Sequence, residues 1–348
     1  MTDDQSAAGL AQLVTVVLLT FNCAHRIMPV VEHLQLLGTP IIVVDNGSSD
    51  GVVEMLRQLD LHVVALPDNI GAAARNVGVE QAETPYVALC DDDGWYDRAG
   101  LELAADLLDR FPSLGVVNAR ILVGPEDKLD PISAEMAGSP LPNPDGLPGT
   151  TLLGFMGGAV VVRRRAYLDV GGYDPRFFIG GEEETLSLPL AKAGWRLQYV
   201  PEVVLHHAPS VANVTRLRPY GMRNALWCAW LHRRLGSAVR WTVFILADRP
   251  KNADWLRAVS MALRGLPWVV RERRPMSREL DSQLRLLDSR HYASRRPLFE
   301  RRDWEPPGHR ELVPSPERGR QSGPTSRAVD TGTRPRITAV VRAVTRKD

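Results

Sequence analysis

The segment Tyr86-Val87-Ala88-Leu89-Cys90-Asp91-Asp92-Asp93 decides the fold: an apolar run of strand-forming residues ends in three consecutive carboxylates. A short apolar run closed by polar turn residues reads as a strand buried on both faces. Upstream the pattern repeats. Val14–Thr20 leads into Phe21-Asn22, Ile41–Asp45 into Asn46-Gly47-Ser48-Ser49-Asp50, and 62–66 into Pro67-Asp68-Asn69. Helix-length amphipathic stretches at 26–37, 51–59, 71–81 and 100–110 separate these runs, and a further strand is predicted over 115–122. Strands alternating with helices predict an α/β fold: a mostly parallel central sheet flanked by helices on both faces.

Downstream, 125–149 carries six prolines and little periodicity, so an irregular excursion is predicted there. A second block follows: a strand near 158–163, a short helix, a loop over 171–181, a helix over 183–193, and strands near 197–200 and 203–206 that complete the same sheet. From 222 to about 290 the pattern is helical. After 295 the chain turns to Pro, Gly, Ser and Arg, and 301–348 holds eleven basic against six acidic side chains. The expected organisation is a flexible start over 1–12, one α/β domain over 13–221, a helical extension over 222–295 and a disordered basic tail over 296–348.

Composition narrows the function classes. With 348 residues, 44% hydrophobic and 24% charged, the chain has the make-up of a folded globular protein. Its 42 Lys and Arg stand against 41 Asp and Glu, so no global field favours nucleic acid. Residues 1–12 lack a basic region followed by an apolar one, so export is not expected. The longest nearly apolar run, 152–162, is too short to span a bilayer. Cys23, Cys90 and Cys228 lie far apart and suit neither a disulfide framework nor a thiolate zinc site, which points to a reducing cytoplasm.

In an open parallel sheet, ligands bind beyond the carboxyl ends of the strands. Polar residues follow nearly every strand here. Asp91, Asp92 and Asp93 would repel one another at one sheet edge unless a cation sat among them, and hard oxygen ligands suit Mg²⁺ or Mn²⁺. The alternative is an acidic turn that caps the next helix. Asp45 can accept a base N–H at the end of its strand, or hold an Asx-turn with Asp50 as N-cap. In the run from Asn69 to Gly78, Gly71 and the alanines allow close backbone approach. There Arg75 can reach a phosphate or a carboxylate of the triplet, or be solvated on a packing helix.

Together, 16–22, 43–51, Asn69-x-Gly71-x-x-x-Arg75-Asn76-x-Gly78 and the aspartate triplet resemble family 2 glycosyltransferases, over about residues 13–235. The resemblance implies the GT-A nucleotide-diphospho-sugar transferase fold, a nucleotide-sugar donor, a divalent metal and inverting transfer to a hydroxyl acceptor. Thr20, Asn22, Asp45, Asn69, Gly71, Arg75, Asp91 and Asp92 then line the nucleotide site. Asp93, with Asp91, stands at the family's Asp-x-Asp metal element. Gly158 belongs to a small-residue loop under the sugar. Glu183 takes the place of the catalytic base, with Glu182 second. Pro189 is expected to kink the supporting helix, and the Glu triplet could also be an ordinary acidic first helical turn. His206 is placed near the metal or diphosphate, and Arg223 at the diphosphate or, alternatively, on a solvated helix face.

By the same resemblance the acceptor is a glycan or a lipid-linked saccharide of the cell envelope. The alternatives from other classes are a sugar nucleotidyltransferase, for which the loop after the first strand is a poor triphosphate cradle, and a non-catalytic nucleotide-sugar-binding protein. Trp227, Trp230, Trp241, Trp255 and Trp268 lie among arginines. They suit either peripheral attachment at the inner face of the plasma membrane or a buried helical subdomain over the sheet edge.

Overall fold

The computed structural model describes residues 9–143, 146–209, 218–247 and 250–294, all within one compact unit spanning Met1–Pro307. The disordered-tail expectation for 296–348 falls outside the described residues.

Ten strands form one sheet whose main path runs β3-β2-β1-β4-β9-β6-β10-β5. These are β1 Val14–Thr20, β2 Ile41–Asp45, β3 His62–Ala65, β4 Tyr86–Asp91, β5 Gly94–Tyr96, β6 Leu114–Val123, β7 Lys128–Leu129, β8 Thr150–Thr151, β9 Ala159–Arg163 and β10 Arg196–His207. β3, β2, β1 and β4 are parallel, and β10 runs parallel to β6. β9 is antiparallel to both β4 and β6, between which it lies. Side chains alternate across the strands, so β1 serves two cores. Val14, Val16 and Leu18 pack with α1 (Ile27–Gln35), α2 (Val52–Arg57) and α4 (Arg98–Arg110). Val17 packs with α3 (Ala74–Gln81), α6 (Arg164–Asp169) and α7 (Glu184–Lys192) on the other face.

The 125–149 excursion is more ordered than its prolines suggest. It holds β7 and α5 (Pro131–Ala137), which Asp130 caps by accepting from Ile132 N at 2.9 Å, with Pro131 in the first turn. The two strands predicted over 197–206 are one, β10, whose pairing with β6 shifts register between Val200 and Val204 around Pro201. α7 stays helical through Pro189. Four helices complete the unit: α8 Arg218–His232, α9 Leu235–Ala247, α10 Ala253–Glu272 and α11 Arg278–Ser294. α8, α9 and α10 form their own core around Met222, Leu226, Trp241, Ile245 and Ala258, while Leu284 of α11 packs with Leu141, Leu153 and Leu188.

Candidate active site

The loops after β1, β2 and β3 are tied together by side chains the sequence places at strand ends. The buried Asp45 carboxylate accepts from the Thr20 hydroxyl at 3.1 Å and from Ser48 N at 2.9 Å, and also from the Ser48 hydroxyl. Ser48 Oγ in turn accepts from Asn22 N at 2.8 Å, and Asn22 Oδ1 accepts from Ser49 N at 3.0 Å. Asn22 adopts a left-handed backbone, φ 48°, which Asn tolerates better than most residues. Asn46 holds the third loop by accepting from Ile70 N and donating to Gly71 O, while Asn69 Oδ1 accepts from Gly71 N. Gly71 has φ +68°, and a Cβ there would stand 2.1 Å from Phe178 O, so only glycine fits. Asp45 thus spends most of its acceptor capacity inside the protein.

The aspartate triplet solves its own repulsion. Asp91 pairs with Arg75 in a close contact, Asp92 with Arg26 at 2.8 Å, and Asp93 Oδ1 lies 3.5 Å from His207 Nε2. Arginines thus neutralise Asp91 and Asp92, while among the described residues Asp93 has only an imidazole beside it. Burial, with Asp93 and Asp91 nearby, outweighs Arg26 and raises the Asp92 pKa. Burial works against the Arg75 charge, but Asp91, Tyr173 and Glu182 more than offset it and hold the guanidinium above its usual value.

Gly157 and Gly158 bring the Glu triplet to this edge. A Cβ on Gly158 would lie 2.3 Å from Asp91 Oδ2. One on Gly157 would meet the Tyr173 hydroxyl at 2.9 Å and Glu183 Oε1 at 3.6 Å. The two glycines therefore form a floor with Asp91 on one side and Glu183 with Tyr173 on the other. Burial pushes Glu182 up to about 8, helped by the neighbouring Glu183. Burial also raises Glu183, against hydrogen bonds from backbone N–H groups that include Gly157. Glu184 faces away and accepts a hydrogen bond from the Cys228 thiol near Arg233. Tyr173 Oη, Glu182 Oε2 and Arg75 Nε are buried without a hydrogen-bond partner. Such groups are costly to leave unpaired, and three of them gather beside the glycine floor.

Two expected residues are engaged elsewhere. His206 lies between Asp127 (2.9 Å) and Asp97 (3.2 Å) and stacks on Trp95; the ring beside Asp93 is that of His207. Successive residues of a strand face opposite sides, which is why adjacent histidines divide in this way. Arg223 is neither solvated nor turned to the triplet. It is buried, donates to Phe177 O at 2.6 Å and to Arg176 O at 3.2 Å, and lies over Trp227. Asn224 donates to the carbonyls of Phe177, Ile179 and Gly180 at 3.0, 3.2 and 2.8 Å. This pair clamps the loop before Glu182, including Phe178 in a left-handed conformation, φ 64°. The clamp's partners lie more than 40 residues away in sequence, so no local pattern announced it.

Among the described residues no group of three or more His, Cys, Asp and Glu stands assembled around one point. Asp93 and His207, both about one-fifth exposed, offer two donors. That set fits a Mg²⁺ or Mn²⁺ ion completed by phosphate oxygens and water, the usual arrangement where a nucleotide brings part of the shell.

A mixed, mostly parallel sheet carrying carboxylates beyond its strand ends defines a GT-A-like protein. Residues 15–171 match the glycosyl transferase family 2. The pre-mycofactocin glycosyltransferase of Mycobacterium tuberculosis is 34% identical over 226 residues, 62% of this chain and 46% of that protein. This chain thus spans about half the length of that relative. The N-acetylglucosaminyl-diphospho-decaprenol L-rhamnosyltransferase of the same organism is 25% identical, with 72% of this chain and 89% of that one covered. Among solved structures, GalNAc-T7 with UDP, GalNAc and Mn²⁺ superposes with a TM-score of 0.53 at 16% identity, covering 69% of this chain and 51% of that one. No described helix is long and apolar enough to cross a membrane.

Proposed function

We propose that the protein is an inverting glycosyltransferase that moves a sugar from a nucleoside-diphosphate donor to a hydroxyl of a lipid-linked saccharide. The observation that carries this reading is the buried Glu182 and half-buried Glu183 beside the Gly157–Gly158 floor, near Arg75 and Asp91, with polar atoms left unpartnered. Burial raises both carboxyls, and Glu183, which accepts from the Gly157 N–H and lies beside the floor, is the base.

The Glu183 carboxylate takes the proton of the acceptor hydroxyl as that oxygen bonds to the anomeric carbon. The bond from that carbon to the diphosphate oxygen breaks with its electron pair, and the configuration inverts. Arg75, which faces the triplet, is the cation placed to offset leaving-group charge, while Arg223 holds the base loop. Asp93 and His207 would hold the divalent ion, which supplies electrostatic stabilisation to the diphosphate. Thr20, Asn22, Asp45 and Asn69 shape the nucleotide loops, Asp45 as their anchor. The acceptor class is carried over from the relative named for a diphospho-decaprenol.

Thermal unfolding with UDP, GDP or dTDP, with and without Mn²⁺, tests the donor site. A metal-dependent rise with one nucleotide, lost in Asp93→Asn, is expected, because a ligand of the native state stabilises it by mass action. No rise with any of them would remove the reading.

A further inference from the structure

Among the described residues the helical layer presents an exposed aliphatic face on α10, and α9 carries a second exposed row. On α10, Leu256, Leu263 and Val270 recur at seven-residue steps, which places them in one row along the helix. They are 62%, 62% and 59% exposed. The row is about 21 Å long, from fourteen residues at 1.5 Å each. Arg257, Arg264 and Arg271 each follow one of these residues and make a second exposed row beside the first. On α9, Leu235, Val239 and Val243 recur at four-residue steps with exposures between 45% and 63%. The tryptophans that suggested a membrane surface in the sequence are turned inward instead. Trp241 is buried in the helical core, Trp227 donates to Ala262 O, and Trp255 to Leu246 O.

We propose that this face docks on an anionic lipid bilayer. Single exposed aliphatic residues are ordinary on a soluble surface, but aligned rows edged by arginine are the pattern of a helix lying in a membrane interface. Leucine and valine enter the acyl boundary, and the arginine stems lie along it with their heads at the phosphates. Charge decides between occupants. From Leu235 to Arg274 the sequence carries eight Lys and Arg against three acidic residues, so the partner is negative. Residues 301–348 are themselves basic, with eleven against six, and would be repelled. A second copy related by a two-fold axis would bring like-charged arginine rows together. The inference stands apart from the transferase reading, since a protein that only bound nucleotide sugar would dock in the same way.

Co-sedimentation of the full chain with phosphatidylcholine vesicles, with and without phosphatidylglycerol, tests it. Binding to the anionic vesicles is expected at low salt and should weaken as salt rises. The double variant Leu263→Asp/Val270→Asp should lose at least about tenfold in affinity, since burying one aliphatic side chain is worth about that much. Arg257→Gln/Arg264→Gln should lose the preference for phosphatidylglycerol while keeping the melting temperature. All four positions are exposed, and unchanged circular dichroism will show that the fold persists. Failure of the wild type to sediment at low salt would overturn the proposal, as would full binding by the aspartate variant. A concentration-dependent dimer without vesicles, abolished by the same aspartates, would assign the face to a second copy and overturn it equally.

Discussion

Arg75 and Arg223 are both buried arginines, and they have opposite surroundings. Arg75 meets carboxylates: Asp91 in a close contact, with Glu182 nearby, and its Nε remains unpartnered. Arg223 meets backbone carbonyls and the side-chain oxygen of Asn224, and burial lowers its pKa. The first pairs with a carboxylate and keeps one donor unused, whereas the second spends its donors on a loop. Residue type and burial alone do not separate a ligand-binding arginine from a structural one; partner charge and leftover donors do. The same contrast extends to the regions around them. The edge after β1, β2 and β4 is closed by bonds between neighbouring strand-end loops, while the base loop is held by a helix from a distant part of the chain.

Four measurements sharpen or break that contrast. The largest effect is expected for Glu183→Gln, which should lower kcat about 10²- to 10⁴-fold while the nucleotide-induced rise in melting temperature persists. If Glu182→Gln has that effect instead and Glu183→Gln does not, the base moves by one residue. Next is Asn224→Ala, which takes a donor from three carbonyls, of which Phe177 O alone keeps Arg223, and should destabilise the protein by about 2 kcal/mol in urea unfolding. In that variant kcat should fall more than KM for the donor rises, because the loop carries the base and not the nucleotide. An equal loss in donor KM would merge the two regions.

The third concerns pH. The Glu182 carboxyl sits at about 8 in the folded protein against an ordinary 4.5. The folded state therefore retains a proton that the unfolded state releases, and stability declines as pH rises from about 4.5 through 8. The urea midpoint should fall across that range, and Glu182→Gln should flatten the decline. A midpoint that rises instead would mean that Glu182 is ionised in the fold. The smallest effect is expected for Thr20→Val, which removes one of three bonds to Asp45 and should cost about 1 kcal/mol with little change in kcat. A loss of turnover as large as that of Glu183→Gln would show that the edge takes part in chemistry as well as scaffolding.

The legible part of the molecule follows this division. β1 and β2 could be read to the residue because β-branched runs bounded by Asp, Asn and Gly carry a local signal. Asp130-Pro131 was a readable start for α5, masked by the surrounding prolines. β5 escaped because Gly94-Trp95-Tyr96 is three residues long and is defined only by its antiparallel partner β10. At the site, the residue types at the edge were legible, but their pairings were not. Arg26 for Asp92 and His207 rather than His206 for Asp93 depend on which strands become neighbours. Arg223 reads in the sequence as a diphosphate ligand or a solvated side chain, because nothing local reveals that the Arg176 and Phe177 carbonyls lie against it.

The placement of β9 also bears on how the chain acquires its structure during synthesis. β4 and β6 are close in sequence, yet neither can pair with the other, because the strand that joins them ends at Arg163. Until that residue has left the ribosome, β3-β2-β1-β4 keeps an open hydrogen-bonding edge at β4, and β6 waits for β9 on one side and for the still later β10 on the other. Completing the sheet therefore requires contacts of long sequence separation, which slow folding and lengthen exposure to aggregation. A fragment ending before Ala159 would keep the β4 edge open, so truncations for expression should retain the chain beyond Arg163.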